Sequence, residues 1–237
     1  MIKKISLTCF ILISFLLQGQ IQSGKVIYTL KKNLKNVLSS KELTSASFQN
    51  DFLEIGESLH FELQFNGTES EFKLSESMSI DKNEFKTRMA IFILRGNSVF
   101  YTNLKNQNLI EYREYIGEKL IITNSLHKYT WELTNDSKKI KGYNCYKAVG
   151  IKYGSDKNGN TTEHPIIAWY TPEISFQYGP YESSGLPGLV LEYELGQFKW
   201  ITDKITLDKK ERVIEIDTSG RKITEKEIIN ELKRKMN

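Results

Sequence analysis

Period-two alternation of apolar and polar residues recurs from Lys25 to the Asp208 region, the mark of strands that bury one face. Its clearest instance runs from Ser58 to Leu74 around Asn66-Gly67, a dipeptide that favours two-residue hairpin turns. A turn there pairs Phe65 with Thr68, Leu63 with Ser70, Phe61 with Phe72 and Leu59 with Leu74, gathering the apolar side chains on one face. On the other face, expected to be wet, Glu62 lies opposite Glu71 and His60 opposite Lys73. The like-charged pair costs roughly a few tenths of a kcal/mol.

Similar patterns predict strands at Gly24–Leu30, Ser98–Leu104, Leu109–Tyr115, Lys119–Thr123, Tyr129–Leu133, Tyr143–Tyr153, Glu163–Thr171, Leu189–Leu195 and Phe198–Leu207. The polar run Gly154–Asn160 reads as an exposed hairpin tip between two long strands. So many strands make the fold mainly β: an extensive, curved antiparallel sheet, half-open and barrel-like, with one or two packed helices. Near the C-terminus, Thr224 and Glu227 form a capping box and Ile223 and Ile228 its hydrophobic staple, while Lys233, Arg234 and Lys235 suit the helix's negative end. Ile228, Leu232 and Met236 share the face that docks. Ser39 and Glu42 repeat the capping pattern and predict a short helix after the first strand.

The first residues change where this fold is expected to reside. Lys3 and Lys4 precede the apolar run Ile5–Leu17, which reads as a secretory signal peptide over residues 1–19. Cleavage after Gly19 leaves Gln20 as the N-terminus, and cleavage after Gln20 is the alternative. Cys9 sits inside the apolar run without the small residue before it that lipidation requires. No later segment approaches the roughly 20 apolar residues of a membrane span. The expectation is an exported chain, 20–237, forming one β-rich domain without a transmembrane helix, in the periplasm, at the outer-membrane periphery or outside the cell.

Of the 33 basic residues, Lys3 and Lys4 leave with the signal, so 31 face 29 acidic ones and the net charge is +2. These charges are interspersed, which argues against a nucleic-acid partner. Only Cys145 remains of the two cysteines, so the core must hold without an internal disulfide.

The most specific local signal is Ser183-Ser184-Gly185-Leu186-Pro187-Gly188-Leu189-Val190-Leu191-Glu192. Leu186-Pro187-Gly188-Leu189 fits a type II turn, with proline at the second position and glycine supplying positive φ at the third. Alternation after it predicts a strand launched by the turn. This stretch resembles the signature of the GLPGLI family, with Val190 where the namesake has isoleucine. Trp131-Glu132-Leu133, Lys139 to Ala148, Ala168 to Ile174 and Gly179-Pro180 also look like that family's elements, in its order. The resemblance implies an envelope or secreted protein of the Gram-negative type, often associated with outer-membrane transporters, and implies no catalytic residues. Gly185, Leu186, Pro187, Gly188 and Leu189 are then a structural turn.

Candidate chemistry is sparse. His60, His127 and His164 form no close pair with one another or with Cys145, and Glu163 and His164 point to opposite faces of a strand, so no metal is expected. Cys145 reads as a small buried thiol; as a nucleophile it needs a neighbouring base and a positive setting. No phosphate-cradling glycine loop occurs, and no cofactor is expected. Trp169, Tyr170, Phe176, Tyr178 and Tyr181, clustered around Pro172, Gly179 and Pro180, either line a groove for a peptide, sugar or lipid or plug the end of the sheet. The leading expectation is a noncatalytic envelope protein that binds an apolar ligand or a partner protein. The alternatives are an accessory subunit of an outer-membrane transporter, marked by an exposed apolar patch, and a secreted hydrolase with a site near His164 or Cys145.

Overall fold

The computed structural model describes residues 21–32, 54–75, 84–115, 117–126, 129–155, 160–224, 227–228 and 231. The signal-peptide region, the helix expected at Ser39, His127, and Leu232 with Met236 lie outside the described residues. Within them the strands are β1 (Ser23–Lys32), β2 (His60–Asn66), β3 (Glu69–Leu74), β4 (Ser98–Asn103), β5 (Asn108–Tyr115), β6 (Glu118–Ser125), β7 (Glu132–Ile140), β8 (Tyr143–Ser155), β9 (Thr161–Thr171), β10 (Leu189–Leu195), β11 (Phe198–Asp208) and β12 (Arg221–Ile223). A helix, α1 (Phe85–Ile93), separates β3 from β4.

All these strands join one curved, open sheet in the order β12-β6-β5-β4-β3-β2-β1-β11-β10-β9-β8-β7. The chain meanders outward from β1 to β6, crosses to the far edge at β7, and meanders back until β11 pairs with β1. Residues after β11 return to lay β12 parallel on β6, whereas the other pairings are antiparallel. The mainly β expectation is met. Apolar residues alternate onto the inner face, where Val26, Tyr28 and Leu30 meet Phe61, Leu63, Phe65, Tyr193 and Trp200 in one buried cluster.

The β2–β3 hairpin forms with a different register. Phe65 pairs with Ser70, Leu63 with Phe72 and Phe61 with Leu74, so the loop residues are Gly67-Thr68. Asn66 causes the shift: its Oδ1 accepts hydrogen bonds from the backbone N–H groups of Thr68 and Glu69, each at 2.8 Å. Each partner moves by two residues, so the side chains keep their faces. Glu62 now faces Lys73 rather than Glu71. That second face is not wet, for Glu62 and Glu71 are 8% and 7% exposed. Lys25 pairs with Glu62 and Lys73 with Glu71, and Asn66 reaches across to the Arg212 carbonyl on the segment leading to β12.

Two further departures have local causes. The strand expected at Tyr129–Leu133 begins only at Glu132, because Tyr129 and Trp131 turn inward to bond Glu182 and the Ser184 carbonyl. Helix α1 lacks a side-chain N-cap and an acidic first turn, the signals by which a helix start is read. At the C-terminus the capping box is present: Glu227 accepts from Thr224 N (2.8 Å) and Oγ1 (2.7 Å), and Thr224 Oγ1 accepts from Glu227 N (3.2 Å). Ile223 and Ile228 pack together with Leu120 and Ile122.

Candidate functional site

Between β9 and β10 the chain folds back over the inner face of the sheet. Leu186-Pro187-Gly188 does not form the expected type II turn: Gly188 N bonds Leu186 O at 2.8 Å, and Leu189 N bonds the Ile174 carbonyl at 3.0 Å. Gly188 has φ +153°, and a Cβ there would lie 2.1 Å from the Thr171 carbonyl oxygen. Glycine is therefore required by close backbone approach as much as by turn geometry. Val190 N then bonds the Tyr178 carbonyl, Tyr28 Oη donates to the Val190 carbonyl at 2.5 Å, and β10 runs from Leu189 into the core.

The five clustered aromatics separate. Trp169 faces outward beneath Lys138, whose Nζ is 4.0 Å from the ring centroid, while Tyr170 faces inward. Phe176 and Tyr178 pack on Phe65 at 4.8 and 6.1 Å between ring centroids. Tyr181 stands at the centre of the inner aromatic cluster, 4.8 Å from Phe72, 5.2 Å from Phe100 and 5.0 Å from Trp200, and donates to the Leu94 carbonyl at 2.8 Å. Phe176, Tyr178 and Tyr181 thus fill the sheet's interior, and Tyr181 also borders a cavity.

That cavity, of about 380 Å³, lies between the end of α1 and the inner face of β8 to β11. Ile93 and Leu94 wall one side; Leu195 and Phe198, at the β10–β11 turn, wall the other. Tyr193 and Trp200 stand behind them. The polar lining comes from Arg95, Glu182, Lys152, His164 and Gln197. Lys152 and His164 are directly opposite in the β8–β9 register. They belong to a two-stranded ribbon, for β7 stops pairing with β8 at Val149 and β10 stops pairing with β9 at Ile166. Pro165, without an N–H, sits just past that last pair.

A buried ionic network closes the cavity floor. Arg95, at φ +51° after α1, donates to Glu182 Oε1 at 2.8 Å and to both oxygens of Glu111; Arg113 binds Glu111 at 2.8 and 2.9 Å. Glu182 Oε2 accepts from Tyr129 at 3.3 Å. Burial alone would raise the Glu111 carboxyl, but the Arg95 and Arg113 charges outweigh it and hold the group below its ordinary value. Burial likewise opposes charge on Arg95, yet the two glutamates hold its pKa above the ordinary range. Both oxygens of Glu182 are engaged, which leaves that carboxylate in a structural part.

Cys145 is buried on β8, and burial pushes its thiol up to about 11. His164 is exposed, with Nε2 at 3.0 Å from Thr162 Oγ1. Cys145 lies seven positions along β8 from Lys152, His164's partner, a span of about 23 Å at 3.3 Å per residue. The two do not converge. Among the described residues no group of three or more His, Cys, Asp or Glu gathers in a metal-binding arrangement. Sequence patterns missed Arg95, Glu182, Lys152 and Phe198. The one available signal was Glu182, an acid set immediately ahead of the signature turn; its pairing with Arg95 spans 87 positions.

Residues 65–229, well over half of the chain, match the family described as "N-glycanase peptide, N-terminal domain", and the chain belongs to that family. Its fold is similar to that of PNGF-II solved in space group P21, with a TM-score of 0.52 and 15% identity over 88% of this chain and 32% of that one. The C2 crystal form of PNGF-II gives a TM-score of 0.48 at 15% identity, over 86% and 31% of the two chains. This chain therefore spans about a third of the length of those solved chains. No curated protein sequence matches it.

Proposed function

We propose that this protein is an exported, noncatalytic binding domain that holds a small apolar molecule in the cavity between α1 and β8–β11. The observation that carries the reading is the cavity itself: its walls are Ile93, Leu195 and Phe198, and its one carboxylate, Glu182, is held by Arg95 and Tyr129. A concave, mostly apolar chamber with a few placed polar groups is the usual form of a small-molecule site. The family is described as the N-terminal domain of an N-glycanase. The GLPGLI-type signature and the leader-like N-terminus support export to the periplasm, the outer-membrane periphery or the exterior. Mild isolation of the mature protein followed by mass spectrometry tests the proposal. It predicts a stoichiometric apolar small molecule, and a uniformly empty protein overturns it.

Two observations favour other readings. His164 lines the cavity, which suits a hydrolase site near that residue; that reading predicts glycan release from a glycopeptide, abolished by His164→Ala. Phe85, Phe92 and Ile93 on α1 are 63%, 48% and 46% exposed, an apolar patch that suits an accessory subunit of a transporter and predicts a membrane protein retained through purification. No described helix is long and apolar enough to cross a membrane.

A further inference from the structure

We infer that the exposed face of α1 docks the protein onto the surface of an anionic phospholipid bilayer, with the helix lying flat at the interface. This docking goes beyond the ligand-binding reading and stands whether or not the cavity is filled. Helix α1 is apolar on two sides. On one, Ala90 and the following Leu94 join the buried core cluster, with Thr87 buried beside them. On the other, Phe85, Phe92 and Ile93 are exposed and Met89 is half-buried between them. At 3.6 residues per turn these four fall within an arc of about 100°, the width of the stripe that a helix ordinarily buries. The core side is already occupied, so the second stripe is left for something outside the domain.

Charge and surroundings point to the occupant. No acidic residue occurs within α1, and Lys86 and Arg88 stand at opposite margins of the exposed stripe. Lys86 already has a partner in the protein, so the cation that an outside group meets is Arg88, whose long side chain lies along apolar surface while its guanidinium stays at headgroup level. The acid nearest this stripe, Glu114, is opposite Lys119 in the β5–β6 register. An isologous contact between two copies brings together two such helices, both positive and neither carrying a carboxylate. A lipid surface instead supplies acyl chains for the stripe and phosphates for the arginine. Recesses flank the helix on both sides: a groove of about 430 Å³ lined by Phe85, Met89, Phe92 and Tyr115, and the cavity walled by Ile93 and Leu94. Fluid acyl chains fill such hollows without a matching rigid shape. The helix is about 13 Å long at 1.5 Å per residue, far short of a bilayer core, so it rests in the interface rather than crossing. Held by its core side, it is folded before it binds, and docking is spared the ordering cost of a free amphipathic peptide.

Flotation of the mature protein with vesicles of phosphatidylcholine, alone or mixed with phosphatidylglycerol, tests this, with the folding of each variant checked by circular dichroism. The wild type should float with the mixed vesicles and bind pure phosphatidylcholine about fivefold more weakly, the share of one arginine near an anionic surface. Arg88→Gln should weaken binding to the mixed vesicles about fivefold and leave binding to phosphatidylcholine unchanged. Phe85→Ser and Phe92→Ser should each weaken binding to both kinds about tenfold. In Phe85→Trp the new indole should be quenched by lipids brominated on their acyl chains, a readout that does not depend on the serine variants folding. Vesicle binding unchanged in the folded serine variants, or an indole that the brominated lipids do not quench, overturns docking by α1. A folded wild type that binds neither kind of vesicle overturns it too: a dimer in sedimentation that the serine substitutions dissociate gives the face to a second copy, and a monomer gives it to a protein partner. Each of these outcomes leaves the ligand-binding reading standing, because that reading is decided by what the isolated protein carries.

Discussion

Arg95 and Arg221 each bridge two glutamates, and their surroundings differ in every respect that sets the energy. Arg95 holds Glu111 and Glu182, whose side chains are each 1% exposed. Arg221 holds Glu118 and Glu231, which are 48% and 42% exposed. The Arg221 contacts are screened by water, and the groups are nearly as well solvated apart as together. In the Arg95 network the charges have left water, and each depends on its partners for solvation. The Arg221 arrangement decorates a sheet edge. The Arg95 network ties α1, β5 and the loop before β10 into one floor beneath the cavity.

The largest break in this comparison should come from Arg95→Ala. It leaves the buried Glu182 without its arginine and Glu111 with Arg113 alone, and should cost about 3–5 kcal/mol in urea unfolding; a loss under about 1 kcal/mol would show that the network is solvated after all. Acid should act on the same network. Because the folded Glu111 is held below its ordinary value of 4.5, its contribution is present above that pH and is lost as pH falls through the lower folded value. Chemical denaturation of the wild type should therefore show stability falling below about pH 4.5, with a shallower fall in Glu111→Gln. An intermediate case sharpens the contrast: Glu192, 4% exposed, accepts from Lys138 and Lys199 at 2.6 Å, and both lysines reach solvent. Glu192→Gln should cost about 1–2 kcal/mol by thermal unfolding. Last, Arg221→Ala should leave the melting temperature of the wild type unchanged at physiological salt, and a clear drop would mean that the edge network is organised more tightly than its exposure implies.

The hydrophobic pattern already carried much of the sheet. Alternation located β1, β4, β5, β6, β8, β9, β10 and β11 to within a residue or two at most ends, because a strand with one buried face must alternate. The capping box at Thr224 was legible for a similar reason: both partners lie within one helical turn. β7 escaped because it is an edge strand whose residues are mostly exposed and polar, including Asn135, Asp136, Lys138 and Lys139. The hairpin register escaped too, since turn propensity places the bend at Asn66-Gly67, whereas the Asn66 side chain moves it by one residue.

Of the candidate site, the sequence singled out Tyr181 and His164 but gave no reason to associate them. They share a cavity only because β8 and β9 extend past their neighbours and bring His164 over the turn at Gly196, while the signature loop carries Tyr181 and Glu182 beneath α1. Local rules act over a few residues, and they determined which segments extend, which face of each is apolar and where the C-terminal helix begins. The joining of Arg95 to Glu182, the inward folding of the aromatic loop and the pocket between them depend on contacts across nearly ninety positions. Only the closing of the two meanders around β1 brings those groups together, because burial and charge pairing are properties of the packed surfaces rather than of any one stretch of chain.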